Sequence, residues 1–181
     1  MNGREEFRSI VEEIDYLLAE RRQRAVERMR LIVVHGYHKA VTDCLPGETI
    51  EQVCISVRSD LIPLRLSPTG LVIADVIVRK KPSALTASHI EHILASDPFY
   101  LRLGANAGPA QRAIKRPTRR SIKVYIKRLR QQIGRILKEA GLTKLPEKVL
   151  ASEGTDLLNV TAYRFAIPCD IIHLGATAGR R

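Results

Sequence analysis

Apolar residues recur at helical spacing from residue 3 to about residue 33, with glutamate and arginine between them. No proline or glycine interrupts this pattern between Arg4 and Val34, so it predicts one long amphipathic N-terminal helix. The stripe consists of Phe7, Ile10, Val11, Ile14, Leu17 and Leu18, continued by Ala25, Met29 and Ile32. It suits a short homodimer seam, formed by Phe7, Ile10, Ile14, Leu17 and Leu18. Docking of this helix onto its own domain is the open alternative.

The hydrophobic period changes from residue 50 onward. "VCISV" and "LIPLRL" predict a short antiparallel strand pair. Ser67 as N-cap and Pro68 at the first helical position predict a helix that stops before Pro82. Thr86 caps a second predicted helix in "LTASHIEHILASD". "PFYLRLGANAGPAQRAIKRP" then predicts a long connection.

A third helix is predicted in "RRSIKVYIKRLRQQIGRIL", capped by Thr118 and ending near Gly141. "KVLASEGTDLLNVTAYRFAI" predicts two strands around an "EGTD" turn, and "HLGATAGRR" predicts a loose tail. The predicted class is therefore α+β, with strands first, then three helices and a hairpin. We expect a helical segment over residues 1–48, a domain over 49–170 and a tail over 171–181.

The third predicted helix separates its apolar residues from its basic ones. The apolar residues share one narrow face and are Ile122, Ile126, Leu129, Ile133 and Ile136. Four basic residues share a second face and are Arg120, Lys123, Lys127 and Arg130. At about 100° per residue the two faces lie roughly 115° apart. One side of the helix can therefore pack into a core while a neighbouring side presents a row of cations.

The net charge of +11 changes this picture, because the whole excess lies around that helix. Residues 111–145 contain twelve basic residues and one acidic residue, whereas the rest of the chain is balanced. Such a concentration is typical of a protein that binds a polyanion. An ordinary solvated helix is the alternative, but its cations would repel one another by a few tenths of a kcal/mol per pair. The phosphates of a duplex would turn that repulsion into attraction.

Other candidate chemistry is weak, and we predict no catalytic site, no cofactor and no metal. His35 and His38, like His89 and His92, have His-x-x-His spacing, but no cluster of Cys or carboxylate residues accompanies them. The three cysteines form no Cys-x-x-Cys pair, so we expect free thiols. The apolar runs are too short to cross a bilayer, and the acidic N-terminus is not a signal peptide. We therefore expect a cytoplasmic protein without a membrane partner.

Three stretches together resemble a known family of DNA-binding domains. They are "LRLSPTGLVIADVIVRKKPSALTASHIEHIL", "RRSIKVYIKRLRQQI" and "AYRFAI", within residues 50–168. These stretches resemble the winged-helix domain of the OmpR/PhoB-type transcriptional regulators, whose recognition helix has the form [ST]-[IV]-x-V-x-I-x-R-L-R. Residues 121–130 match that form at every patterned position, and this helix is the specific part of the resemblance.

The resemblance implies a fold and a set of roles. The fold would be a three-helix core with N-terminal strands and a C-terminal hairpin wing, behind the long N-terminal helix. Ile122, Ile126 and Leu129 would pack the core, and Tyr163 and Phe165 would anchor the wing. The implied DNA-binding residues are Arg116, Arg119, Arg120, Lys123, Tyr125, Lys127, Arg128, Arg130, Asn159 and Thr161. Among them, Lys123, Tyr125 and Lys127 would read bases, while Arg128 and Arg130 would bind phosphate.

The chain also departs from the family pattern. Gly70 stands where a capping-box glutamate is usual, and Ala162 replaces the glycine before "YRF". The wing carries Glu153 and Asp156 instead of a tip arginine, which argues against insertion into the minor groove. The N-terminal segment is too short for a receiver domain, so we expect no control by phosphorylation.

The sequence thus supports three functional hypotheses. The first is a sequence-specific transcriptional regulator that binds double-stranded DNA as a homodimer, with RNA polymerase as a further possible partner. The second is a sequence-indifferent architectural DNA binder that uses the same cations. The third is a protein-interaction adaptor that binds an acidic partner. The first two predict salt-sensitive duplex binding, and the third does not.

Overall fold

The computed structural model describes residues 28–38, 47–106, 116–142, 149–155 and 160–174. The strands in this part of the chain are β1 (Arg30–His38), β2 (Gly47–Val57), β3 (Asp60–Pro63), β4 (Leu85–Thr86), β5 (Leu150–Thr155), β6 (Val160–Phe165) and β7 (Cys169–His173). The helices are α1 (Pro68–Arg79), α2 (Ala87–Ser96), α3 (Pro98–Asn106) and α4 (Arg119–Glu139). The predicted α+β class is confirmed.

The strands form two sheets, and both contact helix α1. The first sheet has the order β3-β2-β1-β7, with β1 antiparallel to β2 and parallel to β7. The second has the order β4-β6-β5 and is antiparallel throughout. Helix α1 contacts β2 of the first sheet, β6 of the second sheet, and both α2 and α4. It is therefore the central element against which the other layers pack.

The helix boundaries follow from side-chain caps that the sequence predicted. The Oγ atom of Ser67 accepts a hydrogen bond from the Gly70 amide at 3.3 Å, and Pro68 occupies the first turn of α1. The Thr86 hydroxyl caps α2, and the Thr118 hydroxyl caps α4. Helix α4 ends in a Schellman motif, because Gly141 adopts a φ of 73° that favours glycine.

One apolar cluster joins both sheets to the four helices. All five residues of the predicted apolar face of α4 are buried: Ile122, Ile126, Leu129, Ile133 and Ile136. They meet Ile73 and Ile77 of α1, Ile90 of α2 and Phe165 of β6 in the same cluster. Burial of each such side chain stabilises the fold by about 1.5–3 kcal/mol, so α4 is held firmly from one side.

Two predictions about the N-terminal part are affected by the structure. Residues 30–33 were predicted as the end of the long helix, but they belong to strand β1. The run "LIVV" is β-branched and pairs with β2, and this tertiary pairing overrides the weak helical pattern. Residues 3–27 of the predicted helix lie outside the described residues. Strand β1 lies before the predicted boundary after residue 48 and pairs with β2 in one sheet.

Three predictions in the second half are also corrected. The predicted connection after α2 begins with helix α3, whose start is capped by the Asp97 carboxylate accepting from the Phe99 amide at 2.9 Å. Part of the predicted "EGTD" turn, residues 153–155, lies within β5. The predicted tail is wrong over residues 171–173, which form β7 through long-range pairing with β1. Among the described helices, none is long and apolar enough to span a membrane.

Candidate nucleic-acid interface

Helix α4 presents a row of exposed cations on the side away from the core. The exposed basic residues within it are Arg119, Arg120, Lys123, Lys127, Arg128, Arg135 and Lys138. None of them forms an ion pair with a carboxylate of the described residues. In the same part of the chain, the other ion pairs join residues of β1, α1, β5, β6 and β7. Within the described residues, the positive charge of α4 is therefore not neutralised by carboxylates.

The centre of the exposed face differs from the row that the sequence suggested. Val124 is two residues from both Ile122 and Ile126, which places it about 160° around the helix from each of these buried residues. Its side chain is 45% exposed, although valine is apolar, and Gln131 is exposed about two helical turns further along. The outermost face therefore contains an apolar group and an amide between cations. Neither residue was among the predicted DNA contacts, which within α4 are basic residues and Tyr125.

Tyr125 does not lie in this exposed row. Its ring is half-buried and packs against the apolar cluster, and the Arg128 guanidinium carbon lies 5.8 Å from the ring centroid. Its side chain therefore lies nearer the core than those of Lys123 and Lys127, with which the resemblance grouped it. The tyrosine ring instead forms a platform beside Arg128 and limits the directions in which that cation can point.

Arg130 is also less available than the sequence suggested. Its Nε atom donates to the Leu150 carbonyl at 3.1 Å, and its guanidinium lies 5.7 Å from the centroid of the Tyr163 ring. Its Nη2 atom is buried and has no hydrogen-bond partner among the described residues. Arg130 therefore links α4 to the β5–β6 hairpin, whereas the sequence predicted a free phosphate ligand.

Two hydrogen-bonded contacts with neighbouring elements orient α4. The Gln132 side chain accepts a hydrogen bond from the Arg65 amide at 2.7 Å, and its NH₂ group donates to the Arg65 carbonyl. This pair joins the helix to the segment that follows β3. At the other end, the Glu91 carboxylate of α2 accepts from the Arg119 amide at 3.2 Å. A negative charge there also favours the positive end of the helix dipole.

The hairpin next to α4 contains the remaining predicted site residues. Thr161 is exposed on β6 opposite Gly154 of β5, and Asn159 lies outside the described residues. Tyr163 and Phe165 are buried and anchor β6, as predicted. Glu153 pairs with Arg164 across the two strands, so one wing carboxylate is neutralised within the hairpin. Arg116 is exposed two residues before the N-cap of α4.

A buried polar cluster on the other side of α1 was not predicted. The Asp75 carboxylate is fully buried and contacts three side chains: His35 Nε2 at 2.8 Å, Arg79 Nε at 3.0 Å and the Tyr100 hydroxyl at 2.7 Å. The Arg79 guanidinium lies 4.3 Å from the centroid of the Phe99 ring. Burial and the neighbouring Asp75 charge raise the pKa of Tyr100, so its hydroxyl remains a donor. The signal in the sequence was a single acidic residue inside "GLVIADVIV".

The residues considered for metal binding and dimerisation can now be placed. His89 and His92 are exposed on α2, and His35 belongs to the buried cluster. No cluster of three metal-ligating side chains occurs in the described part of the chain. Cys54 and Cys169 are free thiols, and burial raises the pKa of both. The predicted dimer seam, Phe7, Ile10, Ile14, Leu17 and Leu18, lies outside the described residues.

Comparison with known proteins gave no relative on which to base a function, since no family model, no curated protein and no solved structure matches this chain.

Proposed function

We propose that this protein binds double-stranded DNA, with helix α4 in the major groove, and regulates transcription at specific sites. One observation carries the proposal. Seven exposed cations of α4 lack carboxylate partners among the described residues, while the opposite face of the same helix is buried. A phosphate backbone supplies the negative charge that this surface lacks, and the major groove is wide enough to admit a helix.

The topology supports a winged-helix arrangement as part of this proposal. Helix α1, strand β4, helix α2, helix α4 and the β5–β6 hairpin follow one another in the order typical of that domain. The two-residue strand β4 pairs with β6, which joins the hairpin to the start of α2. Helix α3 and the strands β1–β3 and β7 are additions around this unit. In such a unit the second helix of the helix-turn-helix pair enters the groove, and that helix is α4.

We assign base contacts and phosphate contacts to different residues of the exposed face. Val124, Lys127 and Gln131 lie at its centre, where we propose that they meet base edges. A valine methyl group can contact the thymine methyl, and a glutamine amide can form two hydrogen bonds with adenine. Arg120, Arg128 and Arg135 flank them and would contact phosphate, which positions the helix without reading sequence. Thr161 places a hydroxyl on the neighbouring hairpin.

Duplex affinity measured at several salt concentrations tests the proposal. We expect the logarithm of the affinity to fall linearly with the logarithm of salt, with a slope that grows by about 0.9 for each phosphate contact. The variant Arg128→Ala should remove one phosphate contact and so reduce the magnitude of the slope by about 0.9. Lys80→Ala removes an exposed lysine at the end of α1 and serves as the matched control. If duplex binding shows no salt dependence, the protein-interaction hypothesis replaces this one.

Selection of bound duplexes from a random pool tests specificity separately. We expect the selection to enrich a sequence motif. The base preference at individual positions of that motif should change in Val124→Ala or Gln131→Ala. A pool that stays random while binding remains salt-sensitive would support an architectural binder instead. Two half-sites at a fixed spacing would support the predicted homodimer.

A further inference from the structure

A cavity of about 240 Å³ lies between the helices and the chain that enters α4. Helix α1 contributes Thr69 and Val72, α2 contributes Leu94, and α3 contributes Tyr100 and Leu103. Arg116, two residues before the N-cap of α4, also lines the cavity. The cavity therefore touches three helices and the start of the proposed DNA-binding helix.

The chemistry of this cavity is apolar with one positive end. The Tyr100 hydroxyl already donates a hydrogen bond to the Asp75 carboxylate at 2.7 Å. Thr69 is the second residue of α1, where helix amide groups carry partial positive charge. Arg116 has no ion-pair partner among the described residues, and none of the described residues that line the cavity is acidic.

We propose that this cavity binds a small monocarboxylic acid with an apolar body, its carboxylate on Arg116 and its hydrocarbon part against Val72, Leu94 and Leu103. At about 30 Å³ for a water-sized group, the volume accommodates roughly eight non-hydrogen atoms, which matches the carbon chain of octanoate with its two carboxylate oxygens at the exposed Arg116. An arginine can hold a carboxylate through two parallel hydrogen bonds. A neutral molecule of the same shape would leave Arg116 without a partner and bind less tightly.

Binding there would weaken DNA binding, and this second step rests on the proposed function. Arg116 is itself a predicted DNA contact, and a bound carboxylate neutralises it beside the phosphate backbone. We expect the duplex dissociation constant to rise about fivefold at saturating acid, at the low end of typical coupling between sites. By reciprocity, bound duplex should weaken acid binding by the same factor.

The first experiment measures acid binding to the full chain without DNA, by calorimetry with octanoate as the probe. We expect saturable binding that Arg116→Gln weakens at least tenfold, while Lys80→Gln leaves it unchanged because Lys80 is exposed outside the cavity. Leu101→Trp, at a residue that is 38% exposed on the cavity lining, should block entry without disturbing the core. 1-Octanol, which has the same chain without the charge, should bind more weakly.

Equal affinity for octanoate and 1-octanol, unchanged octanoate affinity in Arg116→Gln, or no binding at all would each overturn the site. The second experiment repeats the duplex titration with octanoate present and uses Arg116→Gln to separate the two claims. Octanoate binding with an unchanged duplex dissociation constant overturns the coupling. Octanoate binding to a protein that binds no duplex overturns the proposed function and leaves the site standing.

Discussion

Asp75 and Lys127 are charged residues in opposite situations. Asp75 is fully buried on α1 and contacts His35, Arg79 and Tyr100 at 2.7–3.0 Å. Lys127 is exposed on α4 and has no ion-pair partner among the described residues. Both belong to helices that pack in the same core. Within the described residues, the first charge thus has three polar partners and the second has no ion-pair partner.

This difference separates charges that stabilise the fold from charges that are available to a ligand. A buried carboxylate without partners is strongly unfavourable, so the cluster around Asp75 has to form together with the fold. An exposed lysine is stable in water and contributes little to folding. Changes in the buried cluster should therefore alter stability, and changes on α4 should alter binding while the fold remains.

The largest expected effect is on stability and comes from Asp75→Ala. The change leaves the three side chains that contact this carboxylate without their shared partner in a buried site. We expect the free energy of unfolding to fall by about 3–5 kcal/mol, as measured by urea denaturation. Asp60→Ala, at an exposed carboxylate at the start of β3, should change it by less than about 0.5 kcal/mol. Similar values for the two variants would contradict a structural role for the cluster.

Tyr100→Phe should have the next largest effect and should also change the response to pH. Loss of a hydrogen bond to a charged group lowers stability by about 1.5–3 kcal/mol at neutral pH. The pKa of Tyr100 is raised from 10.0 in the fold, so the unfolded chain loses this proton first as the pH rises. The stability contribution is therefore complete below about pH 10 and is lost above it.

Urea denaturation between pH 8 and pH 11 checks this sign. The free energy of unfolding of the unchanged protein should fall steeply above pH 10, and that of Tyr100→Phe should fall less. Tyr125 and Tyr163 are present in both proteins, so their ionisation cancels in the comparison. Parallel pH profiles would show that Tyr100 ionises as easily in the fold as in the unfolded chain.

On the other side of the comparison, Lys127→Glu should leave stability nearly unchanged and weaken DNA binding. Replacing one of the mutually repelling cations can raise the free energy of unfolding by a few tenths of a kcal/mol. A carboxylate in the groove should raise the duplex dissociation constant about thirtyfold, or about 2 kcal/mol. Fluorescence anisotropy at fixed salt measures this change. An unchanged dissociation constant in a folded variant would mean that α4 does not meet the duplex.

The features of the fold that sequence predicted are local ones. Ser67, Thr86 and Thr118 cap helices within three residues of their own positions, and such contacts depend only on neighbouring residues. The buried face of α4 followed from helical spacing for the same reason. Helix α3 was not predicted, although its Asp97 cap and the three-residue spacing of Tyr100 and Leu103 are local signals of the same kind.

The features that sequence did not predict depend on pairings between distant residues. Strand β7 exists because residues 169–173 meet β1 in parallel register, and nothing near residue 169 indicates that partner. Similarly, Asp75 contacts His35 of β1 and Tyr100 of α3 only when those elements pack against α1. At the candidate site, the positions of Arg130 and Tyr125 depend on the hairpin and the core beside α4. A helical wheel shows only the residues of α4 and therefore includes neither the hairpin nor the core.

The smallest expected effect comes from Glu91→Gln, at a carboxylate that accepts a hydrogen bond from the Arg119 amide at 3.2 Å. The amide side chain can still accept this bond, so the change mainly removes one negative charge near the start of α4. Stability should fall by about 0.3–1 kcal/mol, because the carboxylate no longer favours the helix dipole. Duplex affinity should rise slightly and only at low salt, since the net charge beside the phosphates becomes more positive. Weaker duplex binding in this variant would instead show that Glu91 orients α4 for the groove, which would join the structural and the binding charges in one residue.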